Sequence, residues 1–210
     1  MVKTREHEAA RTRVKLIAHA RRRFGRGGQA AVGVIEVSKA AGVTTGALYH
    51  HFAHRQALLR AVLEDVAVSV ATQARDAMKD RDDPWERLML GITAVLDACL
   101  EPDVKHAYNE AASILGLEQW RALEESKTGG LLMQGLHAVA RTGTLKPISL
   151  PLLAAMVKGA VVESAMCITR SKQPKKTRRE AGELLQALLE GLIRRSGRAH
   201  RKARPLDHLQ

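Results

Sequence analysis

The sequence predicts an all-α fold in two parts, a small N-terminal three-helix domain containing a helix-turn-helix and a larger helical domain. Three observations carry that reading. Leu, Ala and Val recur at spacings of three and four along most of the 210 residues, while alternating β-branched runs are scarce. Glycines and capping residues punctuate the pattern at helix-length intervals. Charge is also divided unevenly: residues 1–54 carry a net +7, residues 55–169 a net −3 and residues 170–210 a net +8, within a total of +12. A basic N-terminal unit on a mildly acidic body suggests that the first segment faces a polyanion.

The elements follow in order. A first helix is expected over about 5–25, with Leu16, Ala20 and Phe24 on one face, ending in the cluster Gly25-Arg26-Gly27-Gly28. A short helix over about 34–41 places Val34, Val37 and Ala41 on one side, and Gly42 supplies the positive φ of a tight turn. Thr44 suits the N-cap of a helix over about 45–51. The next helix, about 55–79, carries Leu58, Leu59, Val62, Val66 and Val70 as its stripe. Asp83, Pro84 and Glu86 mark a new start by capping residue, first-turn proline and capping box, with the helix reaching about Leu100. Further helices are expected from about Pro102 to Gly116, over about 117–142 with a loosening at Thr128-Gly129-Gly130, and from Ser149 to about Arg170. The last runs from about Lys175 to Ser196, closed by Gly197. The expected domains are 1–56 and 57–196, with a basic tail at 197–210 that lacks apolar periodicity.

The stretch from Ala40 to Phe52 has the chemistry of a helix that meets a nucleic acid. Ala41 is small enough for two helices to cross closely, Gly42 turns the chain, and Val43 and Leu48 anchor the second helix. Thr44, Thr45, Gly46 and Ala47 lie at its N-terminus, where free amides and the helix dipole favour a phosphate. Tyr49 and His50 can donate to phosphates or touch base edges.

The run from Ala20 and Phe24 through Gly28, Val34, Val37, Ala41-Gly42-Val43, Gly46, Leu48-Tyr49, His51-Phe52, Arg55 and Leu58 resembles the tetracycline-repressor (TetR) family of transcriptional regulators. The resemblance covers about residues 10–65 in register and implies DNA contacts at Thr44, Thr45, Gly46, Ala47, Tyr49, His50 and His51. It implies a phosphate contact at Arg55, where the family usually has a lysine, and a basic arm at Lys3 and Arg5. Gly33 replaces the usual Ser or Thr cap of the second helix, and Ile35 stands at a usually polar position. Arg21 and Arg23 replace commonly apolar residues and offer the first helix additional phosphate contacts.

The resemblance extends to the second domain through helix number and the segment Ala111–Arg121, and implies an effector pocket. The expected lining is Trp85, Leu88, Met89, Leu96, Cys99, Tyr108, Leu115, Trp120 and Met133, which would suit a mainly apolar small molecule with one polar handle. It also implies a homodimer through a four-helix interface. Leu152, Met156, Ala160 and Ser164 recur on one helix, and Ala181, Leu185, Leu188 and Leu192 on the last. The expected function is a DNA-binding regulator, most simply a repressor of a roughly palindromic operator released by a small molecule, with the helix at about 55–79 as the lever. A ligand-independent or activating regulator is the alternative within DNA-binding proteins.

A small-molecule enzyme or carrier without DNA affinity is the disfavoured alternative from another class. No catalytic residues, cofactor or metal are expected: Glu110, Glu118 and Glu163 lack a nucleophile–base partner, and His50, His51 and His54 lack a third metal ligand nearby. Cys99 and Cys167 are too few for a disulfide framework. The N-terminus has no apolar core of a secretory signal, and Lys158 and Glu163 interrupt the best candidate for a membrane span. A cytoplasmic location is therefore expected.

Overall fold

A computed structural model of the protein describes residues 2–194, with side chains described from residue 6. The arm residues Lys3 and Arg5 thus lie outside the described side chains, and the expected tail at 197–210 outside the described residues. Helix α1 spans Val2–Gly27, followed by a 3-10 turn, Gly28–Ala31. Helices α2 (Val34–Ala41) and α3 (Thr45–His51) form the helix-turn-helix, and α4 runs from Arg55 to Met78. The larger part contains α5 (Pro84–Ala98), α6 (Pro102–Leu115), α7 (Leu117–Glu124), α8 (Gly130–Arg141), α9 (Leu150–Arg170) and α10 (Pro174–Glu190).

Local chemistry accounts for most boundaries. Gly42 adopts φ 71° at the end of α2, and its amide and that of Val43 bond back to the Lys39 and Ser38 carbonyls. The side chains of Thr44, Asp83 and Ser149 accept from the amides of Ala47, Glu86 and Leu152, capping α3, α5 and α9. Gly33 caps α2 without a side chain; the Glu36 carboxylate folds back into the space where a Gly33 side chain would begin.

Two boundaries differ from the sequence reading. The expected helix over 117–142 is interrupted by a π-helical turn, Glu125–Gly129, between α7 and α8. The last helix stops at Glu190, not near Ser196. Beyond it, Leu145 and Ile193 pair as antiparallel neighbours, with Lys146 N–H bonding to Leu192 and Arg194 N–H to Thr144. That pairing takes up amides and carbonyls which a continuing helix would otherwise satisfy.

One apolar core runs through the whole described chain, from Leu16 and Phe24 through Leu58, Val62 and Val70 to Leu136, Ile168 and Leu189. Helix α4 joins its two ends, burying Leu58 and Leu59 near α1–α3 and Val66, Val70 and Ala74 farther along. Polar bonds lock the junction. Arg21 on α1 pairs with Asp65 on α4 at 2.9 Å and with Asp103 on α6 at 2.5 Å, and Phe24 meets His106 edge-on at 5.8 Å. Helix α9 is long and apolar enough to cross a membrane by length and composition, despite Lys158 and Glu163. Its Leu153, Val157, Ala165 and Ile168 instead join the shared core.

Candidate nucleic-acid interface and ligand cavity

The helix-turn-helix presents a small-residue end to solvent. Leu48 is fully buried and Phe52, just past α3, nearly so, which seats α3 against α2 and the shared core, while Thr44, Gly46, Tyr49 and His50 are exposed and Thr45, Ala47 and His51 half-buried. Thr44 Oγ1 accepts from Ala47 N–H at 3.1 Å, which orders the first turn and leaves the other N-terminal amides facing outward. A methyl added at Gly46 would meet only Thr44 Oγ1, at 3.8 Å. The Arg13 guanidinium lies 5.2 Å from the Phe52 ring centre. Burial, then the neighbouring His50 and Arg13 charges, lower the His51 pKa, so His51 is neutral at physiological pH. His54, though exposed, is engaged through Nδ1, which accepts from Ala57 N–H at 3.1 Å and caps α4.

Several arginines read as phosphate contacts are engaged inside the protein. Arg55 donates from Nε to the Val32 carbonyl at 2.9 Å and from Nη2 to the Gln29 carbonyl, so it buttresses the segment between α1 and α2. Arg23 donates to the Ala31 carbonyl at 2.8 Å, and Arg21 holds the junction with Asp65 and Asp103. Ile35 is 69% exposed on α2, an apolar side chain beside the candidate DNA face.

The second feature is a partly open void of about 90 Å³ lined by α4, α5, α6, α7, the π-helical turn, α8 and α9. Its wall is mostly aliphatic, with Val66, Val70, Ala74 and Met78 from α4 and Leu88 and Ile92 from α5. Tyr108 and Trp120 stand edge-to-face at 5.9 Å, and Glu124 lies one helical turn beyond Trp120. Burial raises the Glu124 pKa; the Tyr108 hydroxyl and the Lys158 and Arg121 charges offset only part of that. Tyr108 is pushed well above the usual phenol range, by burial and then by the Glu124 charge. A wider groove of about 670 Å³ shares Glu124, Gly129 and Lys158 with the void and continues past Met133 and Pro151 along α9.

Residues 16–62 match the family described as bacterial regulatory proteins, tetR family, and residues 85–192 match the tetracyclin repressor-like C-terminal domain. The chain belongs to the TetR family.

Relatives agree at both the sequence and the structure level. The chain is 34% identical over 104 residues to the HTH-type transcriptional regulator TtgR of Pseudomonas putida, a match covering 47% of this chain and 50% of TtgR. It is 36% identical over 66 residues to the probable HTH-type transcriptional regulator ArpR of the same species, covering 31% of each. The chain thus spans half or less of the length of these curated relatives. A crystal structure of a TetR-family transcriptional regulator from Pectobacterium atrosepticum superposes with a TM-score of 0.77 at 25% identity, covering 89% of this chain and 96% of that one. Further solved structures share the fold at 16–20% identity with TM-scores of 0.58–0.68.

In this TetR-family chain the sequence reading of the cavity needs correction. Of the nine expected lining residues, Leu88, Tyr108 and Trp120 reach the void and Met133 the groove. Leu96 and Cys99 are fully packed core, and Trp85, Met89 and Leu115 pack against that core away from the void. Burial pushes the Cys99 thiol up to about 12, with Glu124 next in effect, which leaves it inert. Sequence reasoning assigned α4 to the DNA lever and so missed its contribution to the wall. Glu124 was missed too, although a carboxylate four residues after Trp120 on one apolar face was the available signal.

The expected dimer stripe is also redrawn. Leu152, Met156 and Leu188 are exposed, at 62%, 66% and 67%, and Leu184 joins them at 65%. Leu185 is instead buried at 4%. Ala160, Ala181 and Leu192 pack on the protein's own core, Leu192 lying past the end of α10. Ser164 is half-buried and donates to the Ala160 carbonyl at 2.7 Å.

Proposed function

We propose that this chain is a transcriptional repressor that binds a roughly palindromic operator as a homodimer and is released by a small molecule in the cavity beside α4. The observation that carries the reading is the course of α4 itself. Its first residue, Arg55, supports the turn before the helix-turn-helix, and its later residues Val66, Val70 and Ala74 wall the void. One rigid helix therefore touches both places, which is what a ligand needs in order to favour one orientation of α3 over another.

In this reading Thr44, Thr45, Gly46, Ala47, Tyr49, His50 and His51 meet DNA, with Lys3 and Arg5 as a basic arm, while Arg55 positions the motif. Contiguous exposed apolar area is uncommon on a monomer. The stripe of Leu152, Met156, Leu184 and Leu188 on the packed pair α9 and α10 therefore supports burial against a second copy. Twofold symmetry would then set two copies of α3 about 34–36 Å apart, or a multiple of it, to meet successive major grooves.

The test is titration of the full chain into a labelled duplex taken from upstream of its own gene. Preferential binding over unrelated duplex is expected, with an affinity that falls by a log-log salt slope near 0.9 per phosphate neutralised. Equal affinity for both duplexes at every salt concentration would overturn the proposal.

A further inference from the structure

The cavity residues point to a ligand class. We infer that the void takes an uncharged, hydroxyl-bearing ring, its hydroxyl between the polar tips of Tyr108 and Glu124 and its apolar body against Trp120 and α4. The inference rests on the reading of this cavity as the effector site.

The wall sets the body of the ligand. Nearly every group facing the void from α4 and α5 is aliphatic, and the perpendicular Tyr108–Trp120 pair adds an aromatic edge and face. The void itself has room for a single ring, and any longer part of a ligand would run on into the adjoining groove. An engineered cavity of about 150 Å³ accepts benzene, so a void of about 90 Å³ accepts one ring only if a wall residue yields. Met78 is that residue. It packs over Gly91, where even a methyl would come within 2.8 Å of its sulfur, and its unbranched thioether has other rotamers to adopt.

The polar end sets the handle. Glu124 is 8% exposed, and among the described residues no Lys, Arg or His nitrogen lies within 4.0 Å of its carboxylate. Lys158, which lines both the void and the groove, bonds to Glu125 instead. The Tyr108 hydroxyl takes one acceptor position of this buried carboxyl, and with no cation in contact its other lone pairs are left for a further donor. A ligand hydroxyl can donate to the remaining Glu124 lone pairs, or step into the Tyr108–Glu124 bond by accepting from the phenol and donating to the carboxyl. Lys127, Lys158 and Arg121 around the void and groove oppose an organic cation. A ligand carboxylate placed at the same spot would meet the Glu124 carboxyl head-on.

The test uses the full chain carrying Trp85→Phe, a residue outside the void, so that Trp120 alone reports. Phenol, toluene, benzylamine and benzoate are titrated separately by tryptophan fluorescence, without DNA. Phenol should bind at least about tenfold more tightly than the other three, the size of one buried hydrogen bond. Tyr108→Phe and, independently, Glu124→Met should each remove the advantage of phenol over toluene while leaving toluene binding in place. Toluene binding as well as phenol, a charged probe binding tightest, or no saturable phenol signal would each overturn the inference. Operator binding is then measured at saturating phenol: binding without operator release would leave this site standing and overturn the effector reading.

Discussion

The Glu110 carboxylate accepts the backbone N–H of Gln29 at 2.7 Å, tying α6 to the turn that ends α1. The same carboxylate pairs with His106 Nδ1 at 2.8 Å. It also fills the space over Gly28, whose φ of +62° no ordinary side chain adopts easily. The far end of the cavity's α6 is thus bolted to the entrance of the helix-turn-helix by one side chain.

Glu110→Ala should therefore cost about 1–3 kcal/mol of stability by leaving a partly buried amide without its acceptor. Gly28→Ala should cost more, since its methyl would collide with Glu110 Oε1. In the double variant the clash disappears, leaving the backbone strain at position 28 and the Gln29 amide without its acceptor. The two losses should then be less than additive in urea unfolding, and strict additivity would show that the carboxylate does not occupy that space.

Arg55→Ala removes two donors from the Val32 and Gln29 carbonyls. Hydrogen bonds involving charged groups contribute about 1.5–3 kcal/mol each net of exchange with water, so the melting temperature should fall by several degrees. The salt slope of DNA binding should stay the same, because no phosphate contact is lost. A slope lower by about 0.9 would return Arg55 to the DNA face.

Gly46→Ala separates stability from recognition. The added methyl finds open space in the folded protein, and alanine is the better helix former, so stability should hold or rise slightly. Operator affinity should nonetheless fall at least about tenfold if the α3 N-terminus lies against DNA. Thr44→Ala should lower both, with about 1 kcal/mol lost from the cap. Mobility shift and thermal melting on the same samples read the contrast.

Glu124 gives the protein a pH-dependent liability. Its pKa in the folded chain lies above the ordinary 4.5, so between those two values the folded state holds a proton that the unfolded state has released. Stability from this group is present at low pH and is lost as pH rises through that window. Glu124→Gln should consequently be more stable than the parent at about pH 8, and the difference should shrink toward about pH 4. A constant difference across that range would show that Glu124 titrates normally.

Leu152→Asp with Leu188→Asp should convert a dimer to a folded monomer in sedimentation, because both side chains are exposed within the single chain. Leu185→Ala, by contrast, should destabilise the fold by about 2–5 kcal/mol as a core truncation. If the double aspartate variant sediments as the parent does, the dimer face lies elsewhere.

The sequence alone determined what depends on neighbours a few residues away. The turn at Gly42, the caps at Thr44, Asp83 and Ser149, and the short helices 34–41 and 45–51 all follow from hydrogen bonds spanning three to five residues. The family resemblance lay in that same local grammar. Tertiary structure decided everything that depends on which way a helix is turned. Arg21 reads from its neighbours as a spare cation, yet its partners Asp65 and Asp103 stand 44 and 82 residues away. Leu185 and Leu188 are indistinguishable in a stripe, yet one is buried and the other open to solvent. Trp85 and Leu96 had the composition of a pocket wall, but rotation of the packed helices gave that wall to Val66 and Val70. Periodicity places a residue on a face, and only the packing of distant helices settles what that face meets.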